Sequence, residues 1–170
     1  MAMAPMAMSQ GSSCSTTHAR KMIRGTSMAE LLQPEEAVDA ELGYYVCHPV
    51  QRGDIVLVQR PGRTDPIIKL VLVLPGDHFA LRRDGGSYLL DVNGTPLTTP
   101  RGTPYRFAGK RHDMLALYED SMHGVVPAHT FFVFGTQPQG TLDSTQFGPV
   151  TESDLIGRVT MPEGTPRPRP

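Results

Sequence analysis

Short apolar runs separated by proline and glycine turns are the feature that most constrains the fold of this chain. Three of them are "DIVLVQR" (54–60), "IIKLVLVL" (67–74) and "HTFFVFG" (129–135), and each is bounded by turn-forming residues. Such runs are typical of buried β-strands. The 17 glycines and 16 prolines in 170 residues supply many further turns. The pattern therefore predicts a mainly β fold built from antiparallel sheets.

The remaining pattern predicts one domain over residues 23–160. The pair Asn93-Gly94 lies between two apolar runs and is a strong hairpin signal. Residues 95–128 are irregular and polar, which predicts a small lobe inserted into the sheets. Further strands are predicted at 43–50, 78–83, 87–92 and 155–161, a disordered leader at 1–22, and a flexible proline-rich tail at 161–170.

Composition excludes several classes of protein. The 16 Lys and Arg residues nearly balance the 17 Asp and Glu residues, for a formal net charge of −1, so nothing indicates a nucleic-acid partner. Cys14 and Cys47 lie in different sequence contexts and indicate neither a disulfide framework nor a metal site, and the six histidines are scattered with no ligand spacing. No cofactor is expected. No stretch approaches the roughly 18 apolar residues that a membrane-spanning helix needs.

Lys69 interrupts the most apolar run of the chain. A lysine in such a strand either extends its amine to water or is held neutral by burial. A neutral amine can serve as a general base for a serine hydroxyl. Ser27 is a candidate nucleophile, although it could equally cap a helix over 27–38, with Glu30 at the capping-box position. The residues alone leave both readings open.

Six short stretches follow one another along the chain: "GTSM" (25–28), "RGDIVLV" (52–58), "IIKLVLVLPGD" (67–77), "DVNGTPL" (91–97), "VPAHTFFVFG" (126–135) and "TLDSTQFGPV" (141–150). Together they resemble the successive boxes of type I signal peptidases, the serine–lysine proteases that remove leader peptides from exported proteins. The resemblance covers residues 23–159 and extends to compact members, including mitochondrial inner membrane peptidases and bacterial maturation proteases. It implies the signal-peptidase and LexA-like fold, a complex of antiparallel sheets with a small inserted lobe.

The resemblance also implies roles for individual residues. Ser27 would be the acyl-accepting nucleophile and oxyanion donor, and Lys69 its general base. Gly25 stands where some members carry a second, hydroxyl donor. Thr141 takes the place of a serine that orients the lysine amine, and two neighbouring residues match the acidic box that supports the site, namely Asp143 and Ser144.

Several boxes depart from the family pattern: Ala29-Glu30 stand where a proline is usual shortly after Ser-Met, and Leu70 follows Lys69 where arginine is usual. Gly135, Thr136 and Gln137 stand where the family has Gly-Asp-Asn, and Thr145 stands where it has arginine. The missing aspartate and arginine predict the loss of an ion pair that supports the loop around Asp143. The serine and lysine themselves are present, so an active enzyme is expected.

The family resemblance implies an endopeptidase that removes N-terminal leaders after small residues of the Ala-x-Ala type. The preprotein would bind as an added strand, with shallow apolar pockets lined by Ile23, Met28, Leu32 and Ile68. The family further implies membrane association, through an anchor that is missing here or through a partner subunit. The expected location is the extracytoplasmic face of the bacterial plasma membrane or, alternatively, the mitochondrial inner membrane.

Two alternatives belong to other functional classes. A LexA-type self-cleaving protein shares the serine–lysine chemistry, but it needs a cleavable Ala-Gly bond upstream of the serine, and the one Ala-Gly pair here, Ala108-Gly109, lies downstream. A catalytically impaired β-rich binding domain would use Ser27 as a cap and leave Lys69 in contact with water.

Overall fold

The computed structural model describes residues 14–161, and its strands are short, as the apolar runs predict. The strands are β1 (Thr17–Met22), β2 (Ala37–Leu42), β3 (Ile55–Val58), β4 (Ile67–Val73), β5 (Phe79–Asp84), β6 (Ser87–Val92), β7 (Thr95–Pro96), β8 (Thr130–Phe134), β9 (Val150–Thr151) and β10 (Leu155–Thr160). The helices are α1 (Lys110–Ser121) and α2 (Ser144–Phe147).

Within residues 14–161 the strands form two antiparallel sheets. Seven strands make the large sheet in the order β1-β2-β10-β3-β4-β8-β9, and three make a small sheet in the order β5-β6-β7. All strand pairs are antiparallel. The predicted mainly β fold of antiparallel sheets is confirmed.

The centre of the large sheet is covered on both faces. All four residues of β3 are buried, and so are the last five residues of β4. Buried apolar side chains form two clusters that share these strands, one including Leu57 and Leu70 and the other including Val56 and Val71. A continuous apolar run is the pattern expected of such a strand. Lys69 therefore lies in the most enclosed part of the sheet.

The inserted lobe lies between β4 and β8 in the chain and is larger than the sequence predicts. It begins with β5 rather than at residue 95, and it contains the 12-residue helix α1 within the stretch interpreted as irregular. The apolar residues of that helix are consecutive in sequence and Leu115 is its one buried residue, so no apolar stripe at helical spacing indicates it. The Asn93-Gly94 hairpin is confirmed, with both residues at positive φ (51° and 82°) between β6 and β7.

The predicted leader boundary needs correction. Residues Thr17–Met22 form β1, which pairs along its whole length with β2. The disordered-leader prediction for 1–22 is therefore wrong from residue 17 onward, and residues 1–13 lie outside the described part of the chain. The predicted tail lies outside it from residue 162.

Two other predicted elements are wrong. The stretch 27–36 is a series of turns rather than a helix, and Ala37 and Val38 already belong to β2. Pro34 disfavours helical geometry at the residue before it, and Glu35 takes a positive φ of 64°. The predicted strand at 43–50 is instead a short 3₁₀ helix, Tyr44–Val46, entered through Gly43 at a φ of 76°.

Cys14 and Cys47 form a disulfide, which corrects the prediction that they make no disulfide framework. The pairing of β1 with β2 brings Thr17 opposite Leu42, so the segment before β1 lies beside the segment after β2. The two Cα atoms are 5.8 Å apart, a usual separation for a disulfide. The 33-residue gap in sequence conceals this proximity.

Candidate active site

Ser27 and Lys69 meet at the large sheet. Ser27 lies in the turns that follow β1, whereas Lys69 is the third residue of β4. The Lys69 Nζ donates a hydrogen bond of 2.9 Å to Ser27 Oγ and another of 2.8 Å to the carbonyl oxygen of Ile68. Two residues that are 42 positions apart in sequence thus form a direct hydroxyl–amine pair.

The surroundings of Lys69 favour its neutral form. The residue is 3% exposed, and Val56 of β3 lies opposite it in the sheet. Burial lowers the pKa of Lys69 from 10.5 to about 8; the Asp143 carboxylate opposes this change, and the Arg60 guanidinium adds to it. The alternative that Lys69 extends its amine to water therefore does not describe this side chain. The amine can therefore lose its proton closer to neutral pH than an ordinary lysine, and its neutral form can accept a proton.

A cleft of about 370 Å³ opens beside the pair. The end of β1 and the residues after it form one wall, and the start of β4 with the residues before it forms the other. Of the predicted pocket residues, Ile23, Met28 and Ile68 line this cleft, but Leu32 does not. Leu32 is fully buried in the larger apolar cluster, so its assignment to a pocket is wrong.

Comparison with known families agrees with this arrangement. A family model described as "Signal peptidase, peptidase S26" matches residues 2–163, nearly the whole chain. The chain belongs to this family. Its members named below are signal peptidases, and this peptidase is accordingly a serine-type endopeptidase that removes signal peptides.

Similar proteins include two bacterial enzymes and one solved structure. Signal peptidase I of Bacillus caldolyticus is 28% identical over 141 residues, covering 81% of this chain and 75% of that protein. Signal peptidase I U of Bacillus subtilis (strain 168) is 26% identical over 141 residues, covering 82% of this chain and 72% of that protein. The crystal structure of a signal peptidase I from Enterococcus faecalis V583 is 25% identical, with a TM-score of 0.45, and covers 66% of this chain and 98% of that one.

The backbone around the Ser27 hydroxyl leaves a donor available in this peptidase. Within residues 14–161 the Ser27 N–H makes no hydrogen bond, so it can donate to an oxyanion. Gly25 takes a positive φ of 76°, a conformation that suits glycine, and has no side chain to act as a second donor.

Residues 135–137, which depart from the Gly-Asp-Asn pattern of the family, form hydrogen bonds with the turn that carries Ser27. The Thr136 N–H donates to the carbonyl oxygen of Ser27 at 2.7 Å, and the Thr136 hydroxyl accepts from the Glu30 N–H at 3.1 Å. The Gln137 side-chain amide donates to the Thr26 carbonyl at 2.8 Å and to the Thr26 hydroxyl at 3.0 Å. The residues that depart from the family pattern thus still hold the serine turn in place.

Asp143 is the buried acid beside the pair. Its side chain accepts hydrogen bonds from the Thr141 hydroxyl (2.9 Å), the Thr145 N–H (3.0 Å) and the Thr145 hydroxyl (2.6 Å), and it caps α2. The Thr141 hydroxyl donates to this carboxylate and is not among the hydrogen-bond partners of Lys69 in the described chain. A nearby charged acceptor explains that preference. The predicted contact between Thr141 and the amine is therefore corrected.

Ser144 supports a strand and makes no hydrogen bond to Ser27 or Lys69 in the described chain. Its buried hydroxyl accepts the Val133 N–H of β8 at 2.8 Å. Two residues of the inserted lobe that sequence reasoning did not select also brace the site. Tyr105 donates its hydroxyl to the Gly135 carbonyl at 2.6 Å, and Arg111 reaches the Asp143 loop. No family box includes either residue, so neither carries a sequence signal.

Proposed function

We propose that this protein cleaves leader peptides after a small residue, with Ser27 as nucleophile and Lys69 as general base. The observation that carries the proposal is the 2.9 Å hydrogen bond between the Ser27 hydroxyl and the amine of Lys69, a residue that is 3% exposed. In its neutral form that amine accepts the serine proton while the Ser27 oxygen attacks the substrate carbonyl. The Ser27 N–H stabilises the oxygen anion that forms.

The second half of the reaction follows from proton balance. The Lys69 ammonium gives its proton to the amine of the departing chain, which leaves an ester on Ser27 and a neutral lysine again. A water molecule then attacks the ester while Lys69 takes one of the water protons. Lys69 then gives this proton to the Ser27 oxygen as the ester bond breaks, which restores the hydroxyl and releases the leader peptide.

The preprotein is proposed to bind as an extended strand along the cleft. The residues before Ser27 on one wall and Pro66–Ile68 on the other offer the backbone for strand addition. The apolar side chains of Ile23, Met28 and Ile68 leave limited space beside Ser27, which favours small residues before the cleaved bond. The x residue of an Ala-x-Ala signal would point away from this wall, because side chains alternate along a strand.

We further propose that the protein works at the extracytoplasmic face of a bacterial plasma membrane, with the mitochondrial inner membrane as the alternative. The disulfide supports an oxidising compartment. A leader carries an apolar segment of about 7–15 residues next to its cleavage site, which places the substrate at the membrane. Contact with the membrane would come from an anchoring segment or a partner subunit. Neither helix in residues 14–161 is long and apolar enough to cross a membrane.

The test is cleavage of a library of leader peptides, with the products mapped by mass spectrometry. The wild-type protein and its Lys110→Met and Ser121→Ala variants, both altered in α1 away from the cleft, should cut after the second alanine of Ala-x-Ala. Ser27→Ala and Lys69→Ala should each lose cleavage, and the double variant should be no worse, because the two groups act as a unit. Cleavage by Ser27→Ala would contradict the assignment. A folded wild-type protein that cuts no leader would indicate the catalytically impaired alternative.

A further inference from the structure

Arg111 extends from the inserted lobe into the loop that carries Asp143. Its Nε donates to the Thr145 hydroxyl at 2.7 Å, and its Nη1 donates to the carbonyl oxygen of Gln139 at 2.7 Å. Its Nη2 lies 3.7 Å from an Asp143 carboxylate oxygen. The arginine side chain is 15% exposed, so this is a largely buried guanidinium that binds one loop through two hydrogen bonds and one longer ion pair, in which the buried Nη2 makes no hydrogen bond.

The surroundings of the guanidinium accommodate an arginine closely. The ring of Phe107 lies 5.0 Å from its central carbon, within the range of a cation–π contact. On another side is Gly140, at a φ of 111°, where an added Cβ would lie 2.1 Å from the same carbon. A side chain at 140 would therefore exclude the guanidinium. The glycine, the phenyl ring and the arginine form one packed unit.

Arg111 and Asp143 form an ion pair near the dyad. The sequence predicts that the ion pair usual in the family is lost here, and this one takes its place. Thr145 stands where the family has arginine, and Leu70 follows Lys69 where arginine is usual. Among residues 14–161 the salt bridge of Asp143 is made by Arg111 alone. Thr145 lacks a charge but accepts a hydrogen bond from the same guanidinium. The charge that balances the buried acid thus comes from another element of the fold, 32 residues before Asp143 in sequence.

We propose that Arg111 is a positioning residue that holds Asp143 in place and offsets its charge, and that it acts through Asp143 on the proton affinity of Lys69. This inference rests on the proposed function. The charged groups that act on Lys69 are Asp143 from the start of α2 and Arg60 from the end of β3. Asp143 itself faces Arg111 from the lobe, and it also faces Tyr105.

The direction of the effect follows from these charges. The Asp143 carboxylate favours the protonated lysine, and Arg111 offsets part of that negative charge. Without Arg111 the carboxylate still accepts three hydrogen bonds from Thr141 and Thr145, which hold it in the same place. Its attraction for the lysine proton then increases. The pKa of Lys69 should rise, and less neutral amine should be present at neutral pH.

The experiment compares Arg111→Met with the wild type and with Arg106→Met. Arg106 is an arginine of the same lobe whose side chain pairs with Asp84 at the surface, so its variant controls for loss of a charge. The first readout is the pH dependence of kcat/KM for an Ala-x-Ala leader. The acidic limb of Arg111→Met should move to higher pH, with activity at neutral pH reduced roughly threefold or more. Arg111→Lys, which keeps the charge but not the three contacts, should lie between.

A second readout does not require activity. In a Ser27→Ala background, the ¹³Cε resonance of Lys69, assigned by its disappearance in Lys69→Met, reports the pKa of the amine directly. Arg111→Met should raise that pKa, and Arg106→Met should not. An unchanged Lys69 titration in Arg111→Met would overturn the proposal, whatever happens to thermal stability. Absence of Ser27-dependent cleavage in the wild type would instead count against the proposed function, because the resonance titration stands without it.

Discussion

The N–H of Thr136 donates a 2.7 Å hydrogen bond to the carbonyl oxygen of Ser27. This contact joins the end of β8 to the turn that carries the serine. Gly135, just before it, lies so close to that turn that an added Cβ would meet the Ser27 carbonyl oxygen at 2.6 Å and the Thr141 hydroxyl at 2.4 Å. The turn that carries Ser27 and the loop before Asp143 therefore both pack against Gly135, just after β8.

Gly135→Ala should displace the serine turn. Because both close neighbours are near the chemistry, we expect kcat to fall by at least about tenfold and stability by about 1–3 kcal/mol. The matched control is Gly86→Ala in the hairpin between β5 and β6, where an added Cβ meets nothing within 4 Å. Steady-state kinetics and urea unfolding of both variants provide the measurement. Equal effects at the two positions would show that the close packing at Gly135 has no catalytic consequence.

Sequence reasoning located the dyad because its two boxes lie in short, strongly patterned stretches. It located β3, β4 and β8 for the same reason, since buried strands have continuous apolar runs. It missed α1, whose apolar residues do not form a stripe along one side, and it missed β1, whose pairing with β2 depends on tertiary contacts. The ion pair between Arg111 and Asp143 could not be predicted from the sequence, because the two residues belong to different elements and share no motif.

Loss of the disulfide should loosen the β1 wall of the cleft. The bond between Cys14 and Cys47 closes a loop that contains β1 and β2, and the end of β1 lines the cleft. We expect the double variant Cys14→Ser/Cys47→Ser to be less stable by roughly 2–4 kcal/mol and to show a higher KM for leader peptides. Urea unfolding and steady-state kinetics, each with and without a thiol reductant, make the comparison. The reductant should lower the free energy of unfolding of the wild type and leave that of the double variant unchanged. Equal stability of the two proteins without reductant would refute the prediction.

The cleft should select the residue immediately before the cleaved bond. Replacing the second alanine of an Ala-x-Ala leader by leucine should lower kcat/KM roughly 10- to 200-fold, because the added atoms meet Ile23, Met28 and Ile68. The control is leucine at the x position, whose side chain points away in an extended strand. Competition between the three peptides, followed by mass spectrometry, measures the ratios directly. Loss of activity from the x substitution alone would contradict the proposed binding mode.

Lys69 should lower the free energy of unfolding at neutral pH, because the burial that suits its catalytic role disfavours its charged form. Burial lowers its pKa to about 8 in the folded protein, against 10.5 in the unfolded chain. Between these values the unfolded chain binds the extra proton, so the free energy of unfolding rises with pH across that interval. Below pH about 8 both states are protonated and the full penalty applies, roughly 3 kcal/mol. Activity should rise through the same region, because the neutral amine increases.

Lys69→Met removes the titrating group while keeping a side chain of similar length. The variant should be inactive yet more stable than the wild type near neutral pH, and this advantage should shrink as pH rises from about 8 to 10.5. Urea titrations of both proteins at neutral and alkaline pH measure the difference, and Lys110→Met, at the exposed start of α1, is the matched control. A Met variant that is less stable at neutral pH would mean that the protonated amine is well paired. In that case Lys69 would stay charged under working conditions and could not accept the Ser27 proton.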